Sequence, residues 1–133
     1  MNNHSHAASS YRQAAARGAT PVGQVVSLYD AILRDFFRAL AALKAANVPD
    51  RVNHLNHAIS VIGYLASVLD RERGGKVARQ LGAVYTASID MIVKANARAT
   101  ADKLEELIDM YAELRQAWYQ LDQRAKRAGR DAP

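Results

Sequence analysis

Four long stretches of this chain place apolar residues at spacings of three and four, and three short breaks separate them. That period belongs to the α-helix, and nothing in the sequence alternates with period two over a useful length. In the first stretch, about Pro21 to Ala46, one face carries Val25, Leu28, Tyr29, Ile32, Phe36, Leu40 and Leu43. A second row, Val22, Val26, Leu33 and Phe37, lies roughly 90° round the wheel. The polar arc is Asp30, Arg34, Asp35 and Arg38. Thr20 is the expected N-cap, offering its hydroxyl to a free backbone N–H. Pro21 suits the first helical position, where its missing N–H costs nothing.

Asn47, Val48 and Pro49 interrupt the pattern, and Asp50 is read as the cap of a second helix. Val52, Leu55, Ile59, Ile62, Ala66 and Leu69 recur along it, with Val61, Tyr64 and Val68 as a further row. His54 and His57 stand three apart on this helix, a turn beyond Asp50; they are read as two solvated histidines rather than metal ligands. The run Arg71 to Gly75 is the next break, with Gly74 and Gly75 able to take positive φ. A third helix is expected from about Lys76 to Asn96, with a core row of Val77, Leu81, Val84, Ser88, Met91 or Ile92, and Ala95. Tyr85, Ile89 and Val93 flank that row. After a connector at 97–100, Leu104, Leu107, Tyr111, Leu114, Trp118 and Leu121 form a heptad seam on a fourth helix ending near Lys126. Short connectors favour antiparallel neighbours. The expected fold is therefore all-α, an antiparallel four-helix bundle over 21–127. It carries an N-terminal arm, 1–20, expected to be flexible, and a basic tail, 128–133, expected to be disordered.

Composition narrows the function classes. There is no cysteine, so disulfides and thiolate metal sites are out of reach. No glutamate has a histidine three residues on, as a di-iron bundle requires. Gly74-Gly75 lacks the Lys-Ser/Thr of a phosphate loop. No serine triad is suggested, so no enzyme, cofactor or metal is expected. The net charge is +5, with Arg124, Lys126, Arg127 and Arg130 crowding the end of the chain. No aromatics are interleaved with these bases, so nucleic acid is not the expected partner. Charges interrupt every apolar segment, which argues against membrane insertion. The leader lacks the apolar region of a secretory signal, making the cytoplasm the expected location.

Three of the four helices carry more apolar arc than one core consumes. A groove for a partner helix, a homodimer face and a thicker core all fit this surplus.

A family resemblance bears on that choice. Tyr11, then Ala19-Thr20-Pro21, then Leu28-Tyr29-Asp30 resembles the N-terminal signature of the flagellar secretion chaperones, the FliS family. Tyr85 with Ile92-Val93-Lys94-Ala95-Asn96 resembles that family's third helix, and Leu114-Arg115-Gln116-Ala117-Trp118 its fourth. The resemblance spans about residues 11 to 120. It departs at Gly23, Gln24, Ser27, Ala31 and Ala87, where the family usually has an acid, an apolar residue, methionine, glycine and a second aromatic. The resemblance implies a cytoplasmic chaperone that binds the C-terminal segment of flagellin as a helix in apolar grooves. It further implies that premature polymerisation is prevented and the client is delivered to the flagellar export gate. An N-terminal arm anchored by Tyr11 would cover part of the empty site. The expected motif and partner-binding positions are Tyr11, Thr20, Pro21, Val22, Val26, Leu28, Tyr29, Leu33 and Phe37; Tyr85 and Trp118 are expected to be core. The competing reading is a homodimeric structural bundle, or a divergent paralogue, with no flagellin client.

Overall fold

The computed structural model describes residues 20–131, with side chains through Gly129. It contains four helices: α1 Pro21–Lys44, α2 Val48–Ser67, α3 Arg71–Arg98 and α4 Ala101–Asp131. No strand occurs among the described residues. Each helix runs antiparallel to its two neighbours. α1 packs against α2 and α4, α3 packs against the same two, and the backbones of α1 and α3 stand on opposite corners. The all-α bundle expected from periodicity is the observed fold. Of the expected N-terminal arm, all but Thr20 lies outside the described residues, as does Tyr11. α4 continues to Asp131, past residue 128 where the disordered tail was expected to start, and residues 132–133 lie outside the described residues.

The helix ends follow local chemistry. The Thr20 hydroxyl accepts the Gly23 N–H at 2.9 Å, and Pro21 opens the helix as expected. At the other end of α1, Asn47 N–H reaches the Ala42 carbonyl at 2.8 Å and Ala46 N–H reaches Leu43 at 3.1 Å. This is the paired closure of a Schellman motif, with Ala46 in the left-handed region at φ 55°. The cap of α2 is Asn47, not Asp50. Asn47 Oδ1 accepts the Asp50 N–H at 3.2 Å, while its amide donates to the Asp50 carboxylate at 2.9 Å. Asp50 therefore sits inside the first turn, where its charge also favours the helix dipole.

The expected break at 71–75 is instead a kink. Asp70 caps Arg73 N–H at 3.0 Å, so the helix begins earlier than read from sequence. Only Gly75 leaves helical geometry, at φ 55°, ψ −129°. Gly74 is required for a different reason, because a Cβ there would lie 2.6 Å from the Ala78 Cβ.

The core is built from Leu28, Tyr29, Ile32 and Phe36 of α1, Leu55, Ala58, Val61 and Ile62 of α2, and Leu104, Leu107 and Tyr111 of α4. The second row of α2 partly joins it, since Val61 is buried whereas Val68 is exposed. α3 presents a different face from the one expected. Its buried residues are Ala78, Gly82, Tyr85, Ser88, Ile92 and Ala95, whereas Val77 is 63% exposed. Alanine and glycine make up half of this buried face, and a count of large apolar residues overlooks them. Tyr85, placed beside the core row by the wheel and expected to be core, is fully buried.

These backbone positions predict opposite responses to glycine exchange. Ala46→Gly relieves a left-handed alanine and should stabilise the fold by about 1 kcal/mol. Gly75→Ala forces a Cβ into a glycine-only region and should destabilise it by about 1–2 kcal/mol. Chemical denaturation midpoints of the two variants against wild type check both signs.

Candidate functional site: an apolar groove between α3 and α4

The last third of α4 presents two different stripes. Arg115, Trp118 and Asp122 lie on one line of the helix, and Arg115 and Asp122 hold it to α1 and its cap. Arg115 Nε donates to Asp30 Oδ1 at 2.8 Å, and the guanidinium also lies 5.2 Å from the Tyr119 ring centre. The Trp118 indole lies near the Tyr29 hydroxyl without a hydrogen bond of ordinary geometry. Thr20, already capping α1, donates its own hydroxyl proton to Asp122 at 2.5 Å. That bond, joined by Lys126 at 3.3 Å, holds the Asp122 carboxyl below its usual range.

The neighbouring stripe faces α3 and is apolar. Leu114, Ala117, Trp118 and Leu121 line an open groove of about 240 Å³ with Val77 and Leu81. The heptad seam thus serves two purposes. Leu104, Leu107 and Tyr111 are fully buried, Leu114 and Trp118 are partly buried, and Leu121 is 47% exposed. Exposed Val77 forms the opposite wall.

Beneath the groove, the Tyr29 and Tyr85 hydroxyls meet at 2.5 Å. Burial pushes both phenols up from their ordinary ionisation range, so the pair is neutral. The Tyr111 ring packs 5.7 Å from Tyr29 and edge-on to Phe36 at 5.5 Å. Its buried hydroxyl lies near Ser88 but makes no hydrogen bond of ordinary geometry. The Ser88 hydroxyl is committed to the Val84 carbonyl at 2.7 Å.

Most of the α1 positions singled out from sequence lie elsewhere. Leu28 and Tyr29 are fully buried, and Val26 is buried. Val22 and Leu33 are half-buried, and Pro21 is exposed. Phe37 is 56% exposed on the outside of α1. None of these lines the α3–α4 groove. Thr20 meets α4 through a polar bond and Tyr29 through its ring contact with Tyr111, while Val77, Leu81, Leu114, Trp118 and Leu121 were read from sequence as core. Ala117 was not singled out. The available signal was length: α4 has 31 residues against 24 in α1, so its seam outruns its neighbour.

A second depression, between α2 and α3, is lined in part by Arg51, Ile59, Ile92 and Asn96. Arg51 crosses it to bond the Asn96 side chain at 3.0 Å.

The two histidines of α2 are not a solvated pair. His57 Nδ1 contacts one oxygen of the buried Asp35 carboxylate, and His54 Nδ1 approaches the other at 3.7 Å. No three-ligand metal cluster occurs among the described residues.

The family profile of the flagellar protein FliS matches residues 2–125. The chain belongs to the FliS family. It is 31% identical over 118 residues to the flagellar secretion chaperone FliS of Campylobacter jejuni, covering 89% of this chain and 91% of that one. The chaperone of the same name from Salmonella typhimurium is 29% identical, over 85% of this chain and 84% of its own. That of Vibrio cholerae is 28% identical, over 77% and 76%. These relatives are named as chaperones, a non-enzymatic class. No helix among the described residues is long and apolar enough to cross a membrane. The FliS resemblance now has a physical content, because its separate motifs touch. Asp30 of Leu28-Tyr29-Asp30 pairs with Arg115 of the fourth-helix motif, and the Tyr29 hydroxyl bonds that of Tyr85.

Asp35 bonds His57 and raises its ionisation above the ordinary histidine value, with burial and Arg34 opposing. A group raised in the folded state contributes stability that is complete below the unfolded value of about 6.5 and is lost as pH rises through the folded value. The stability gap between wild type and His57→Gln should therefore be widest near pH 6 and shrink towards pH 9. Urea titrations at several pH values measure that gap.

Proposed function

We propose that this FliS chain is a cytoplasmic export chaperone that binds the C-terminal segment of flagellin. The observation that carries the reading is the open apolar groove lined by Val77, Leu81, Leu114, Ala117, Trp118 and Leu121. Its wall residues Val77 and Leu121 are exposed in the chain alone, and an amphipathic helix laid along them would cover both apolar surfaces. The names of the Campylobacter and Salmonella relatives support a client in flagellar secretion. Bound in this way, the segment would have its apolar row withheld from other flagellin subunits. The complex would then be handed to the flagellar export gate.

The positions on α1 take graded parts in this reading. Phe37, with half-buried Leu33 and Val22, offers a second contact strip on the other side of the bundle. Val26, Leu28 and Tyr29 act from inside by shaping α1 and the groove floor. Thr20 and Pro21 start the helix that carries them, and Tyr11 on the arm would cover apolar surface when no client is bound. The alternative is a homodimer with no flagellin client, in which the same exposed rows close on a second copy.

Calorimetric titration with the C-terminal segment of the same organism's flagellin separates these readings. Expected are one-to-one binding and a negative heat-capacity change. Val77→Asp or Leu121→Asp should weaken it at least about tenfold, or roughly 1.4 kcal/mol, while the helical content is unchanged. A dimer that binds no flagellin segment contradicts the proposal and favours the alternative.

A further inference from the structure

The groove has a charged end. Beyond Asp122, α4 has passed the start of α1, since Thr20 is bonded to Asp122 itself. Residues 123–131 extend about 13 Å further. Along this extension Arg124, Lys126 and Arg127 are all exposed. Arg124 follows Leu121 by three residues, so it continues the apolar row that lines the groove. Across the groove, exposed Lys76 adjoins Val77 at the start of the regular part of α3. The opposite end of α4 is acidic, with Asp102, Glu105, Glu106, Asp109 and Glu113 all exposed.

Helix-dipole compensation does not account for this arrangement. That effect fades within the last turn, whereas Arg124 stands about two turns before Asp131. Nor do the bases all answer carboxylates of the bundle. Lys126 reaches Asp122, but among the described residues no ion pair joins Arg124, Arg127 or Lys76 to an acid. An apolar channel that ends in uncompensated cations selects by charge as well as by shape.

We propose that the groove takes an amphipathic helix whose apolar row ends in acidic side chains, seated with that acidic end against Lys76 and Arg124. This deepens the chaperone reading and rests on it, because it states which client segment fits and which way round it lies. The arm of this chain is a poor match for the charged end, since residues 1–19 contain neither Asp nor Glu. An acid-flanked client would therefore gain contacts at this end that the arm does not offer.

Three synthetic helices sharing one apolar row, with acidic, neutral or basic residues at one end, test the proposal on the full chain. The flagellin segment serves as reference. The acid-ended helix should bind about tenfold more tightly than the neutral one at low salt, and the advantage should shrink in about 0.5 M salt. The double variant Lys76→Glu, Arg124→Glu should reverse the order of the acidic and basic helices. Equal binding of all three, with the flagellin segment still bound, overturns the charge selection and leaves the groove reading standing. No binding of any helix or of the flagellin segment overturns the groove reading itself. Displacement of the acidic helix by duplex DNA would assign the charged end to nucleic acid and overturn the proposal.

Discussion

The contact between the Tyr29 and Tyr85 hydroxyls ties the bundle across its diagonal. The backbones of α1 and α3 stand on opposite corners, so long side chains are needed to span between them. Two tyrosines meeting tip to tip do so at 2.5 Å, with both rings buried. In this interior the bond is costly to break, because a buried hydroxyl without a partner forfeits about 1–3 kcal/mol. The Trp118 indole of the groove lies near the same Tyr29 hydroxyl, so the diagonal tie stands close beside the groove. Tyr111 contributes its ring to this cluster and leaves its hydroxyl unsatisfied. Aromatic volume, rather than hydrogen bonding, accounts for its place.

From that tie follows the division of labour along α4. One stripe is fixed to α1 and its cap through Arg115 and Asp122, by polar bonds that require defined geometry. The adjacent stripe, Leu114, Ala117 and Leu121, makes non-directional apolar contact and remains open to a partner. Directional bonds hold the wall still, and an apolar surface accepts what lies against it. Such a wall loses little conformational entropy on binding, which favours affinity. In the proposed binding mode, the cations at the end of the groove would add orientation without narrowing the apolar channel.

Much of the fold was legible because helical period and cap chemistry are local. Thr20-Pro21 marks the start of α1 by residue type alone, and the buried residues Leu28, Ile32 and Phe36 fall where the wheel places them. The cap of α2 was misplaced because Asp50 and Asn47 both suit a cap, and only the backbone shows which one precedes the first turn. The face of α3 was misread because Ala78 and Gly82 pack through their smallness, which hydrophobicity does not weigh. The groove was hidden for a related reason. Val77, Leu81, Leu114 and Leu121 have the pattern of core residues, and their exposure depends on where neighbouring helices end. Likewise His54 and His57 looked solvated until α1 brought Asp35 between them. The motif resemblance identified the family, whereas the contacts joining its motifs are long-range and carry no local signal.

Trp118 is the single tryptophan of the chain and stands in the groove, partly buried. Its fluorescence therefore reports on the proposed site alone. The most direct test is a titration with the flagellin C-terminal segment, chosen or altered to lack tryptophan, read by Trp118 emission and by protection from a soluble quencher. A saturating blue shift with protection, at the stoichiometry found by calorimetry, is what the groove predicts. Calorimetric binding with unchanged emission and unchanged quenching would place the client elsewhere on the bundle and contradict the account.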